Sequence, residues 1–185
     1  MAIYQYNIDF IPQQAVIDRH GQIPTQLFID NDAHGKQWEK DDESDYEFED
    51  ALSIRWWDKV RAKFSDVESF IDSFTTPIEW SKNQTDSRSY GNNDTNDMYF
   101  SLTPDGFIEE FGCRIDLHDF DRNFIDNVLT LAKRLDCLLM DRKGNLLKPD
   151  IDKLVVNIKT PNSFMFVSNS TDFLDKLSSG QIKPE

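Results

Sequence analysis

From Phe107 to Leu117 apolar side chains recur at every second position but one, and no other run constrains the fold as much. Phe107, Phe111, Cys113, Ile115 and Leu117 fall on one side of a strand, with Glu109 in their phase. Ile108, Glu110, Gly112, Arg114 and Asp116 fall on the other. A period of two marks a strand with one buried face. Just upstream, Met98, Phe100 and Leu102 alternate in the same way, and Thr103-Pro104-Asp105-Gly106 links the two runs. Proline fixes φ and glycine permits positive φ, so this link is a turn and the pair a hairpin.

The rest of the chain supplies more strands and several helices. Tyr4, Tyr6, Ile8 and Phe10 alternate with polar residues up to Pro12, which predicts a strand. Residues 13–20 predict a short helix closed by Gly21. Ala51 to Trp57 fits either periodicity, and on neither do the adjoining Trp56 and Trp57 both face the core. Ser65-Asp66-Val67-Glu68 has the capping-box pattern, so a helix carrying Val67, Phe70, Ile71 and Phe74 starts near Asp66 and stops before Pro77. Ile78 and Trp80 suggest a strand, and residues 82–97 a polar, mobile loop. The clearest helix runs from Asp121 to Leu135, with Phe124, Val128, Leu131, Ala132 and Leu135 in one stripe. Cys137 to Met140 predicts a buried strand, Asp141 to Gly144 a turn, and Pro149 to Ile158 a helix with proline near its first turn. Phe164, Phe166 and Val167 suggest a last strand, and Ser170 or Thr171 the cap of a final helix. These elements predict one α+β domain over residues 1–185, an antiparallel sheet with helices packed mainly on one face.

Charge narrows the function. The chain has a net charge of −14, and residues 1–50 alone carry −9 of it. Within residues 39–50, eight of twelve positions are Asp or Glu, which predicts an exposed, solvated loop. This field repels phosphate backbones and anionic headgroups, so neither nucleic acid nor membrane is expected as a partner. It attracts cationic protein surfaces. The N-terminus has no basic and apolar leader pattern, and no apolar run approaches the roughly 18 residues that span a bilayer. Two cysteines, Cys113 and Cys137, lack metal-type spacing and suit a reducing compartment. The expected location is the cytoplasm.

Candidate chemistry is sparse. His118 lies among Asp116, Asp119 and Asp121, an arrangement that serves either as a small acid–base or metal cluster or as ordinary turn and cap residues. No sequence neighbour supplies a nucleophile. Asp30-Asn31-Asp32-Ala33-His34-Gly35 fits a calcium loop poorly, because His34 and Lys36 stand where oxygen ligands belong and the terminal Glu is missing. No phosphate-binding loop, nucleophile elbow or zinc signature is present. Neither an enzymatic activity nor a cofactor is therefore expected.

The acidic run is different in kind. Trp38, Tyr46 and Phe48 interrupt it, and rings interleaved with carboxylates are what a surface for Lys and Arg side chains uses. The candidate partner-binding residues are Trp38, Glu39, Asp41, Asp42, Glu43, Asp45, Tyr46, Glu47, Glu49 and Asp50. Arg114 and Asp116, two apart on the outer face of the hairpin, join them as either an exposed ion pair or a partner contact.

From about Trp56 to Leu177 the chain resembles bacterial immunity proteins paired with Rhs-type and other polymorphic or type VI secretion toxins. The resemblance rests on Trp56-Trp57, Ile78-Glu79-Trp80-Ser81, Ser89-Tyr90-Gly91-Asn92 and Arg114-Ile115-Asp116-Leu117. It continues through the helix to Leu135, Pro149, Leu154 to Ile158, Phe166-Val167 and Asp172-Phe173-Leu174. It implies that the chain binds and neutralises a cognate toxin; with the acidic charge, the expectation is a toxin with a basic surface whose active site is blocked. It brings no catalytic residue. The alternatives are a small enzyme or metal-binding protein built on the His118 cluster, and a structural adaptor.

Overall fold

Alternation in four segments builds the sheet. The computed structural model of the protein describes residues 5–39, 48–159 and 168–181. Its strands are β1 (Gln5–Pro12), β2 (Ser87–Gly91), β3 (Asp97–Leu102), β4 (Ile108–Asp116), β5 (Cys137–Asp141) and β6 (Leu146–Leu147). All pair antiparallel in the order β2-β3-β4-β1-β5-β6. The hairpin is β3–β4. Its turn is closed by Gly106 N–H donating to Thr103 O at 2.9 Å, with Gly106 at φ 76°. The helices are α1 (Gln13–His20), α2 (Asn31–Glu39), α3 (Glu68–Asp72), α4 (Arg122–Arg134), α5 (Ile151–Ile158) and α6 (Ser170–Ser178). This is the α+β architecture the sequence predicts.

The inner face of the sheet is a layer of rings. Phe10, Phe111 and Phe100 stack across β1, β4 and β3, with centroids 4.0 and 4.5 Å apart. Phe64 meets Phe100 edge-on at 5.0 Å. The α4 stripe joins the same core, with Leu131 and Ala132 fully buried. Asp121 caps α4 by accepting from the Phe124 amide at 3.0 Å. Asp150 does the same for α5 at 3.0 Å, which puts Pro149 just before the cap. Asn157 fastens α5 to the sheet, its Nδ2 donating to Tyr6 Oη at 2.6 Å and to Asp141 Oδ2 at 2.8 Å.

Both sheet edges are covered. Beside β2, Ile78 N–H donates to Ser89 O and Gly91 N–H to Thr76 O. Beside β6, Leu146 N–H donates to Thr25 O and Leu27 N–H to Gly144 O. The outer strands therefore have few free backbone groups with which to recruit a foreign strand.

Several expectations are corrected. Residues 82–97 contain β2, which has little apolar alternation and holds its place by pairing with β3. Ile78–Trp80 is not a strand; Glu79–Ser81 form a 3-10 turn and Trp80 is 55% exposed. The capping box near Asp66 makes no side-chain cap bond, and a 3-10 turn at Phe64–Asp66 precedes a helix confined to Glu68–Asp72. Just before the acidic run the sequence predicts no helix, yet α2 forms there, with Asp30 Oδ1 accepting from the Ala33 amide at 2.9 Å. Asn169, not Ser170 or Thr171, supplies the cap bond of α6, accepting from the Asp172 amide at 3.2 Å. The strand expected at Phe164–Val167 lies outside the described residues.

Strict alternation in β4 also fails at one point. Ser101 pairs with Glu110 but Leu102 pairs with Ile108, so Glu109 is an extra residue. The bulge turns Glu109 and Glu110 both outward and returns Ile108 to the core, where it is 1% exposed. Trp56 and Trp57 are likewise both buried. Residues 51–59 are a series of turns, free of either period. Trp56 Nε1 donates to Ala51 O at 2.8 Å and Trp57 Nε1 to Phe10 O at 3.0 Å.

Candidate partner-binding surface

The phase of each strand opposite the rings forms the outer face. Asn7 and Asp9 on β1, Asp97, Tyr99 and Ser101 on β3, and Glu110, Gly112 and Arg114 on β4 are polar or small. Register sets them in rows. Tyr99, Gly112, Asp9 and Met140 lie side by side across β3, β4, β1 and β5, and Asp97, Arg114 and Asn7 form the next row.

Gly112 makes the first row possible. A Cβ there would overlap Cζ and Oη of Tyr99, so the phenol lies flat across the glycine. Its hydroxyl donates to Asp9 Oδ1 at 3.0 Å. Burial, followed by the Asp9 charge, pushes the Tyr99 phenol well above its ordinary range, so it remains a donor. Arg142 approaches Asp9 Oδ2 from the β5 end at 3.6 Å. In the second row Arg114 grips Asp97 with two N–H groups, Nε to Oδ1 at 2.8 Å and Nη2 to Oδ2. The Asp97 hydrogen bond pushes the Arg114 guanidinium further above its usual value.

Toward Ile11, Leu138 and Met140 the outer face turns apolar. Residues 51–57 lie against this end, and where cover meets polar lattice a pocket of about 160 Å³ remains. A second cleft, of about 540 Å³, runs between α1 and residues 49–59. Its charges balance: Asp18, Glu49 and Asp58 against Arg19, Arg55 and Lys59.

The expected site residues separate into groups. Trp38 and Glu39 end α2, and only their backbone is described. Asp41, Asp42, Glu43, Asp45, Tyr46 and Glu47 lie outside the described residues. Glu49 is exposed and pairs with Arg19. Asp50 is not part of an exposed loop. It is 4% exposed, accepts from the amides of Asp30 and Leu52 at 2.9 Å and of Ser53 at 3.1 Å, and meets His34 Nε2 at 2.7 Å. Burial alone would raise this carboxyl, but the Asp30 amide, His34 and the Leu52 and Ser53 amides outweigh it and hold it below its ordinary value. Asp50 thus anchors the base of the acidic run and α2. Arg114 and Asp116 do not form an exposed pair with each other. Arg114 turns to Asp97, and Asp116 is 8% exposed and accepts from the His118 amide at 2.8 Å.

His118 remains at ion-pair distance from Asp116. Its ring nitrogen stands 3.6 Å from Asp116, while Asp121 is engaged as the α4 cap. Among the described residues no group of three His, Cys, Asp or Glu side chains is placed to hold a metal ion. Burial pushes the thiols of Cys113 and Cys137 up, with nearby carboxylates adding to it, which disfavours the thiolate form. Among the described residues no helix is long and apolar enough to cross a membrane.

Sequence reasoning passed over Asp9, Asp97, Tyr99 and Arg142. The available signal was a glycine in mid-strand, which often marks close approach of another group. Comparison of the chain with protein-family models, with curated proteins and with solved structures finds no match.

Proposed function

We propose that the protein binds and neutralises a basic partner protein, in the manner of an immunity protein that covers the active site of a cognate toxin. The observation that carries this reading is the outer sheet face, where carboxylates stand at fixed positions on a rigid lattice. A chain of net charge −14 adds long-range attraction to that local order. The acidic run at 39–50 steers the encounter, and the pre-positioned groups of the sheet supply contacts made on docking. Both cysteine thiols are buried, which favours binding over catalysis.

The test begins with the polypeptide encoded beside this protein's reading frame. Co-purification and surface-binding kinetics should show a complex whose formation slows as salt rises. Neutralising Asp41, Asp42, Glu43 and Asp45 together should lower the on-rate roughly tenfold at low salt. Replacing Trp38 or Tyr46 should chiefly raise the off-rate. A neighbour that neither binds nor poisons cells would refute the reading. Salt-independent association would refute the steering role of the acidic run.

A further inference from the structure

The geometry points to the 160 Å³ pocket as the receptacle for one arginine or lysine side chain of the basic partner, an assignment that rests on the reading above. Its size is the first argument. Small-molecule sites usually measure about 300–1,000 Å³, whereas this space is closer to that of one long side chain.

Its lining is the second argument. Ile11 and Met140 of the sheet, with Leu52, Ile54 and Trp57 of the covering segment, form apolar walls. Asp9, Glu109 and Glu110 bring carboxylates to the same space. An aliphatic stem ending in a cation matches this division, because its methylenes leave water while its charge meets carboxylates. A phosphate or carboxylate ligand has the wrong sign, and a purely apolar residue would strip the carboxylates of water without repayment.

Preorganisation is the third argument. The β4 bulge is what sends two successive glutamates to one side, a common use of bulges in re-aiming side chains. The indole of Trp57 is pinned to Phe10 O, so that wall exists before any ligand arrives. Asp9 is oriented by Tyr99, and Glu110 accepts from Ser101 Oγ at 3.2 Å. One guanidinium already sits nearby. Arg142 lies 3.6 Å from Asp9 with its side chain 54% exposed, and against three carboxylates it leaves the pocket at a net −2. Arg142 therefore competes with an incoming cation for Asp9.

The experiment uses the full chain, labelled with ¹⁵N, and titrates N-acetylarginine amide against its neutral isostere N-acetylcitrulline amide at low salt. Saturable shifts should concentrate on the amides of Leu52, Ile54 and Glu110 and on the Trp57 indole, for the arginine compound alone. Glu109→Gln with Glu110→Gln should weaken binding roughly tenfold, or about 1.4 kcal/mol. Arg142→Gln should strengthen it, which a merely structural arginine would not do. Both glutamates are exposed, so the double variant should fold, as its unchanged spectrum elsewhere will verify. Non-saturating shifts scattered over the acidic surface, or equal binding by the double variant, would overturn the assignment. Such a failure leaves the complex with a basic partner intact, whereas absence of that complex refutes neutralisation whatever the pocket binds.

Discussion

Gly112→Ala tests the outer lattice most directly. Gly112 does not adopt a positive φ, so alanine meets no backbone penalty. Restricting the unfolded chain should even contribute about 0.4–1 kcal/mol in favour of the variant. Against this, the new methyl overlaps Cζ and Oη of Tyr99, and the phenol must swing off the sheet. That movement breaks its bond to the Asp9 carboxylate, a charge-assisted contact worth about 1.5–3 kcal/mol. The difference predicts a net loss of about 1–2 kcal/mol. Urea unfolding followed by tryptophan fluorescence measures it, with Tyr99→Ser as the second arm of a double-mutant cycle. In the Tyr99→Ser background the alanine should be neutral or slightly stabilising, giving a coupling of about 2 kcal/mol. An alanine that costs the same in both backgrounds would refute the argument, because the clash would then not involve Tyr99.

Further outcomes follow from the core and the anchors. Leu131→Ala, at a fully buried position, should cost about 3–5 kcal/mol in the same assay. Asp50 is held below its ordinary value of 3.8, so its stabilisation is present above that pH and lost as pH falls through the lower folded value. The stability gap between wild type and Asp50→Asn should accordingly be full at pH 6 and shrink below pH 3.8, measured by unfolding at each pH. Trp80→Ala, at a 55% exposed site, should shift stability by no more than about 0.5 kcal/mol. A larger loss would mean that Trp80 packs more tightly than its exposure indicates.

Strong periodic patterns in the sequence determined the sheet's centre. β1, β3, β4 and β5, the Thr103–Gly106 turn and α4 are legible because each carries its burial pattern or turn chemistry locally. Charge was legible too, since it depends on composition alone. Elements stabilised by what lies beside them were not legible. β2 has few apolar positions and exists because β3 offers it a backbone ladder. α2 starts where Asp30 caps it and is tied by His34 to an aspartate 16 positions further on. Trp56 and Trp57 are both buried because an irregular backbone obeys neither period. The outer lattice is the sharpest case. Asp9, Gly112 and Tyr99 are far apart in the chain, and only strand register places a phenol over a glycine and against a carboxylate. A bulge of one residue, which the alternation marks only as a misplaced Glu109, decides that Glu109 and Glu110 point the same way. Local sequence fixes which faces are apolar, but the meeting of distant polar groups depends on pairing register, which the whole core selects.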